Sequence, residues 1–151
     1  EGEGLAIGSS SACLCLIHGE TVPSQYVPSR PFRVNAGAVH SYVLMGDGST
    51  KYLSELNSGD KVSVHSHEGP SRIATIGRLK IERRPFLKIS LKSRKGDGQI
   101  MVQQAETVRL VSDSGAAISV TEINPGHEVV VLNESNMRHI GKPVQGEVEE
   151  R

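Results

Sequence analysis

The stretch Ser54-Glu55-Leu56-Asn57-Ser58-Gly59-Asp60-Lys61-Val62-Ser63-Val64 occurs a second time, altered, as Thr121-Glu122-Ile123-Asn124-Pro125-Gly126-His127-Glu128-Val129-Val130-Val131. The offset is 67 residues (122 − 55) and holds without a gap from Ala38 against Ala105, through Leu44 and Val111, Gly48 and Gly115, Leu53 and Val120, to Ile73 against Ile140. Matched turn residues and matched apolar positions at one constant offset are the mark of a duplicated structural unit. The pattern also has a mechanical sense. Leu56 (or Ile123) enters the core, Gly59 (or Gly126) reverses the chain, and Val62 and Val64 (or Val129 and Val131) point inward from the strand that follows, because strand side chains alternate between faces. The chain therefore divides into a leading β segment, 1–33, a first β-barrel repeat, 34–100, and a second, 101–151.

Local patterning agrees. No segment keeps apolar residues at helical spacing over three turns, whereas short alternating runs recur. Strands are expected at Ser11–Ile17, Val39–Met45, Lys61–His65, Arg72–Glu82, Phe86–Leu91, Ile100–Gln103, Thr107–Val111, Ile118–Val120 and Val129–Leu132. Gly46-Asp47-Gly48, Asp113-Ser114-Gly115 and Pro125-Gly126 supply turns, and Pro85 ends or edges a strand. The expected class is mostly β: duplicated small β-barrel units with short strands, Gly-rich turns and little helix.

At 151 residues with 36% hydrophobic content, the chain can build a modest core. Its formal net charge of zero gives no general pull on an anionic partner. No apolar run is long enough to span a bilayer, and there is no signal peptide. Cys13 and Cys15 are too close along one strand for an easy disulfide, and read as two buried or half-buried thiols of a cytoplasmic protein. A metal-binding Cys-x-Cys pair would need a second pair to complete it. The start, Glu1-Gly2-Glu3-Gly4 without Met, reads as a longer chain cut here or an engineered tail.

The densest candidate for chemistry is Arg30-Pro31-Phe32-Arg33-Val34-Asn35-Ala36-Gly37-Ala38-Val39-His40. Arg30 and Arg33 can grip carboxylate or phosphate bidentately, Asn35 can orient a hydroxyl, and Gly37 lets backbone approach a ligand. The plainer alternative is a salt-bridged loop. His40 opens a strand where the second copy has Thr107, and Val39 is matched by Glu106. If pseudo-symmetry turns the copies toward each other, His40 and Glu106 could meet in one cleft, as general base and orienter or as two ligands of a divalent metal. A lone histidine is more often structural than catalytic. His18 with Glu20, and His139, are isolated candidates; His65 and His67 read as a solvent-exposed turn, and His127 as surface.

Between Arg72 and Lys95 lie nine basic residues offset by the single acidic Glu82. This band is the best case for a nucleic-acid or protein surface on a non-catalytic β-barrel module. The scarcity of aromatic stacking residues in it argues against nucleic acid and for solvated strand faces. Alternatively Lys80, held by Glu82, reaches a substrate site. No dinucleotide or phosphate-loop motif is present.

Several strings resemble one family. They are Gly2-Glu-Gly-Leu-x-Ile-Gly-Ser9, His18-x-Glu20, Arg30-Pro-Phe-Arg-Val-Asn-Ala-Gly37, His40, Tyr52-Leu-Ser-Glu-Leu56, Gly59-Asp60, Gly77-Arg-x-Lys-Ile-Glu-x-Arg-Pro85, Ala105-Glu-Thr107 and Arg138-His-x-Gly141. Over nearly the whole length the chain is similar to the carboxy-terminal part of 3-dehydroquinate synthase II. The resemblance implies conversion of a seven-carbon amino-keto sugar acid, 2-amino-3,7-dideoxyheptulosonate, to 3-dehydroquinate by NAD-dependent oxidative deamination and ring closure. A related branch closes a similar amino-keto phosphate to 3-amino-4-hydroxybenzoate with a divalent metal such as Mn²⁺ and no net oxidation. Either chemistry needs a grip on carboxylate and hydroxyls, suited to Arg30, Arg33 and Asn35, and proton transfer, suited to His40, Glu106 and Lys80. Gln104 replaces the family's Asn, Ala38 its Pro and Lys142 its Met, and Ser9–Cys15 diverges; these departures lean toward the second branch.

The resemblance also implies an amino-terminal α/β half as partner, in the same or a companion chain, without which this segment alone is inactive. Whether the enzyme is a homo-oligomer, and whether NAD or metal serves it, stays open at this level.

Overall fold

The computed structural model describes residues 3–20, 33–68, 71–93 and 96–133, and the backbone of 144–150. Arg30 and His139, and Arg94 and Lys95 of the basic band, lie outside the described residues.

The fold is organised on an antiparallel hairpin, β1 (Glu3–Ser10) and β2 (Cys13–His18). Gly4 is required in β1 because any side chain there would run into the Ile17 carbonyl of β2. The rest of the first copy is β3 (Tyr42–Leu44), β4 (Thr50–Tyr52), a 3₁₀ turn at Leu53–Glu55, β5 (Lys61–Ser66) and β6 (Ser71–Thr75). Next come β7 (Phe86–Lys92) and β8 (Gly98–Gln103), paired from Phe86–Gln103 to Leu91–Gly98. The second copy supplies β9 (Arg109–Val111), β10 (Ala117–Ser119) and β11 (His127–Asn133), followed by β12 (Val144–Glu150).

The 67-residue repeat is visible in the backbone. β3 and β9, and β4 and β10, begin and end at exact equivalents. The bridge Met45–Val62 recurs as Ser112–Val129. Gly48 and Gly115 share φ +88°, and Gly59 and Gly126 share φ +97°, values at which L side chains are strained. Even a side-chain role is conserved in form: Asp60 Oδ2 accepts from Asn57 N and His127 Nδ1 from Asn124 N, both at 2.9 Å. His127, expected at the surface, is half-buried as a result.

Each copy docks on its own strand of the leading hairpin. In β1, Leu5 pairs with Val64 and Ile7 with Val43. In β2, Cys15 pairs with Val131 and Ile17 with Leu110. The partners are again 67 apart, so the hairpin relates the copies by an approximate two-fold. All twelve strands join one sheet along the path β4-β3-β1-β2-β11-β12-β7-β8, with β5, β6, β9 and β10 branching from it. The mostly β class is as expected. Among the described residues the pairing follows an open path, so the small closed barrels of the sequence reading are not drawn.

One core serves both copies. Ile7, Cys13, Cys15 and Ile17 of the hairpin pack with Val43, Val62, Val108, Leu110, Val129 and Val131, and with Ile89, Leu91, Ile100 and Val102 of β7 and β8. The opposite face buries Ala6, Leu14, Leu44 and Leu132, with Leu16, Val111 and Val130 beside them. β2 is buried on both faces, as a continuous apolar run in a sheet interior should be. Both cysteines are free and buried; burial, with Asp97 nearby, pushes the Cys13 thiol up to about 11, and burial raises Cys15 as well.

Two expectations are corrected. The strand foreseen over Arg72–Glu82 pairs only through Thr75, because β5, its partner, begins at Lys61, and the Ile76 amide already bonds to Asp60 O at the turn. His65 is not in an exposed turn. β5 runs on through Ser66 between β1 and β6, which leaves His65 2% exposed.

Candidate functional site

The candidate segment Arg33–His40 lies between the end of β2 and the end of β8. At its start the Glu20 amide donates to Arg33 O, and the Arg33 guanidinium stands 3.5 Å from the Glu20 carboxylate. Further along, Asn35 Nδ2 donates to Gln103 Oε1 at 2.7 Å, and the Ala38 amide to Met101 O at 3.0 Å. Gly37 sits at φ +95°, and a side chain on it would strike the Met101 carbonyl. Glycine is thus demanded here twice, by dihedral and by close approach. The segment is clamped along β8, and the strand's continuation, Gln104–Thr107, forms the neighbouring rim.

His40 and Glu106 occupy turns that are equivalent in the two copies. Ser41 N bonds to Ala38 O in one and Val108 N to Ala105 O in the other. Both side chains are exposed. Arg33 and Asn35 are brought beside β8 and the end of β2. Lys80 is instead on the extended segment after β6, 2.8 Å from Glu82, which also takes Arg84 at 2.7 Å. Lys80 and then Arg84 hold the Glu82 carboxyl below its ordinary value. Lys80 is therefore a surface residue paired within its own segment.

Two groups near this site were not singled out as candidates from the sequence. Gln103 is the amide that fixes Asn35. Ser41 is fully buried, and its hydroxyl has no partner among the described residues. The signal for Ser41 was present: the second copy has the core residue Val108 at that place. His18 and Glu20 also join this corner. His18 is buried with Nδ1 at Gly19 O, and the Gly19 amide bonds to Glu3 O.

Chemically, the arrangement offers a cation (Arg33), an amide pair (Asn35 and Gln103), and two exposed titratable side chains (His40 and Glu106), one on each of the equivalent turns. It does not by itself offer a metal cage, since among the described residues no three His, Cys, Asp or Glu side chains converge. Nor does it offer a nucleotide cradle of the usual kind, since among the described residues there is no α-helix to receive a pyrophosphate. None of those residues lies in a helix long and apolar enough to cross a membrane.

The family model of the 3-dehydroquinate synthase II C-terminal domain matches residues 1–151. Curated relatives named 3-dehydroquinate synthase match as well. That of Methanocaldococcus jannaschii is 46% identical over 150 residues, covering 99% of this chain and 42% of the relative. Those of Methanoregula boonei and Natronomonas pharaonis are 43% and 47% identical, covering 46% and 38% of the relatives' own lengths. The chain thus spans less than half the length of the curated relatives it matches. No solved structure matches it.

Proposed function

Because this chain belongs to the 3-dehydroquinate synthase II family as its C-terminal domain, we propose that it is the substrate-gripping part of an enzyme that turns a seven-carbon amino-keto sugar acid into 3-dehydroquinate. The observation that carries this reading is similarity over essentially the whole chain to enzymes named for that product, at 42–47% identity. It takes precedence over the metal-dependent aminohydroxybenzoate branch, whose support is the departures at Gln104, Ala38, Lys142 and Ser9–Cys15.

In this reading the exposed Arg33 pairs with the substrate carboxylate, exchanging its half-buried partner Glu20 for a ligand of the same charge. Asn35, pre-oriented by Gln103, holds a substrate hydroxyl. His40 and Glu106 move protons during ring closure, one removing the proton beside the keto group and the other protonating the new alkoxide. NAD would supply the hydride acceptor for the deamination. The described residues do not fit NAD or Mn²⁺ alone, so no step is routed through either, and an amino-terminal region of the kind the relatives possess is assigned that task.

The test is a fused protein in which this chain replaces the matched carboxy-terminal region of the Methanocaldococcus jannaschii relative. It is incubated with the amino-keto acid and, separately, NAD or Mn²⁺. Formation of 3-dehydroquinate with NAD is expected. His40→Ala and Glu106→Gln should each leave the circular dichroism spectrum unchanged and abolish turnover. Wild-type turnover in both variants would remove them from the site.

A further inference from the structure

The segment from Gly77 to Arg84 belongs to no strand or helix. Its charged side chains nonetheless follow a strand-like spacing: Lys80 and Arg84 both reach Glu82, in ion pairs of 2.8 and 2.7 Å. That i, i+2, i+4 spacing is the period of an extended chain. The alternate positions hold Leu79 and Ile81, 46% and 73% exposed. Among the described residues no strand pairs with it. Both ends are nonetheless pinned, since Ile76 exchanges backbone bonds with Gly59 and Asp60, and Pro85 O accepts from Gln104 N at 3.1 Å. Alternating exposed apolar residues between two anchors are the features that strand addition reads, main chain for affinity and alternate side chains for specificity.

We propose that Gly77–Arg84 is the segment on which the amino-terminal region of the whole enzyme docks by strand addition, covering Leu79 and Ile81. This rests on the functional reading above, and deepens it by naming the contact surface. The occupant is chosen from two facts. First, more than half of each relative's length lies outside the part this chain matches. Second, the anchor at Gln104 is two residues from Glu106 and one from Gln103, so a strand added here lies against the rim of the candidate site and completes it. Arg78, Lys80, Arg83 and Arg84 outnumber Glu82, so the added strand is expected to carry acidic residues beside its apolar ones. Strand addition takes its affinity from main-chain hydrogen bonds and its specificity from alternate side chains.

Hydrogen exchange by mass spectrometry tests the proposal. It is read over residues 77–84 in this chain alone, and over the matching segment of the full-length Methanocaldococcus jannaschii relative. Fast exchange in the isolated chain and at least about 100-fold slower exchange in the full-length enzyme are expected, an observable range for backbone amides that gain a ladder partner. Replacing by Asp the full-length enzyme's residue that matches Ile81 should restore fast exchange in that segment while the β2 amides stay protected. Equal, fast exchange in both proteins would overturn the inference. So would protection in the isolated chain that grows with its concentration, which makes the occupant a second copy. Salt-sensitive protection by a DNA or RNA oligonucleotide would overturn it in favour of a nucleic-acid surface. An unprotected segment in a relative that still forms 3-dehydroquinate sinks the docking inference alone, whereas a fused protein that forms none sinks the functional reading.

Discussion

The two copies differ most usefully at a buried pair. In the first, Ser63 and His65 are 3% and 2% exposed, and Ser63 Oγ and His65 Nε2 share a hydrogen bond of 2.7 Å. In the second, the same places hold Val130 and Leu132, 3% and 1% exposed. The approximate symmetry therefore names a substitution whose shape the fold already accepts. Ser63→Val leaves the imidazole nitrogen buried without its partner, and His65→Leu does the same to the hydroxyl. Each should cost about 1–3 kcal/mol, the price of an orphaned buried polar group. The double variant removes both groups and should lie within about 1 kcal/mol of the original, so the coupling is about 1 kcal/mol or more. A pH signature accompanies it. Burial lowers the His65 pKa below its ordinary 6.5. As pH falls the unfolded chain takes up the proton before the folded one. The stabilising contribution is thus fully present above the ordinary value and is lost as pH falls below 6.5 toward the folded value. Urea unfolding of the four proteins, followed by circular dichroism at about pH 7.5 and about pH 5.5, measures both effects. Single-variant losses that simply add in the double variant, or an acid sensitivity as steep in the double variant as in the original, would refute the reasoning.

Three further outcomes follow from close packing. A methyl group at Gly98 would stand 2.6 Å from Cys13 Cβ, so Gly98→Ala should lose about 1–3 kcal/mol in denaturant unfolding, while Gly77→Ala, which meets nothing within 4 Å, should change stability little. Gly37→Ala, placed at φ +95° and against the Met101 carbonyl, should cost on the order of 2 kcal/mol and raise KM in the fused enzyme by displacing Asn35. Cys13 and Cys15, free and buried with their thiols held neutral, should react with a thiol reagent only at the rate of global unfolding, so labelling should follow added urea rather than reagent concentration.

The repeat was legible because turns and buried strands leave marks that a sequence keeps. Gly48 and Gly115, or Val62 and Val129, can be matched on paper because each position tolerates few residues. The leading hairpin was only half legible. Leu14 and Leu16 announce β2, but β1 carries Gly4 and Gly8, residues that weaken any strand signal, and its pairing is explained only by the Ile17 carbonyl that Gly4 must clear. β4 was missed because its three residues, Thr50–Tyr52, sit on an edge with no buried side chain to produce alternation. His65 was misjudged for a related reason: burial of a polar residue depends on what flanks its strand, and β1, which pairs with it through Gly4, comes from the far end of the chain. In the candidate site, Arg33, Asn35 and Gly37 stood out by residue type. Gln103 did not, because a hydrogen bond across 68 residues leaves no local trace.

The same symmetry separates scaffold from chemistry. Where the copies agree, at Gly59 and Gly126 or at Leu53 and Val120, the residues turn the chain or fill the core, and their job is finished inside this domain. Where they disagree in polarity, one copy carries something that folding alone does not require. Ser41 is buried where the other copy needs only Val108, His40 stands opposite Thr107, and Glu106 opposite Val39. These three lie in the two equivalent turns next to the Asn35–Gln103 bond, apart from the buried Ser63–His65 pair in β5, and the Pro85–Gln104 anchor brings the segment 77–84 toward the same turns. A duplicated framework frees one copy of each such position from structural duty. Those freed positions at the two turns, beside a segment that pairs with no strand among the described residues, are what the proposed junction with the amino-terminal region rests on.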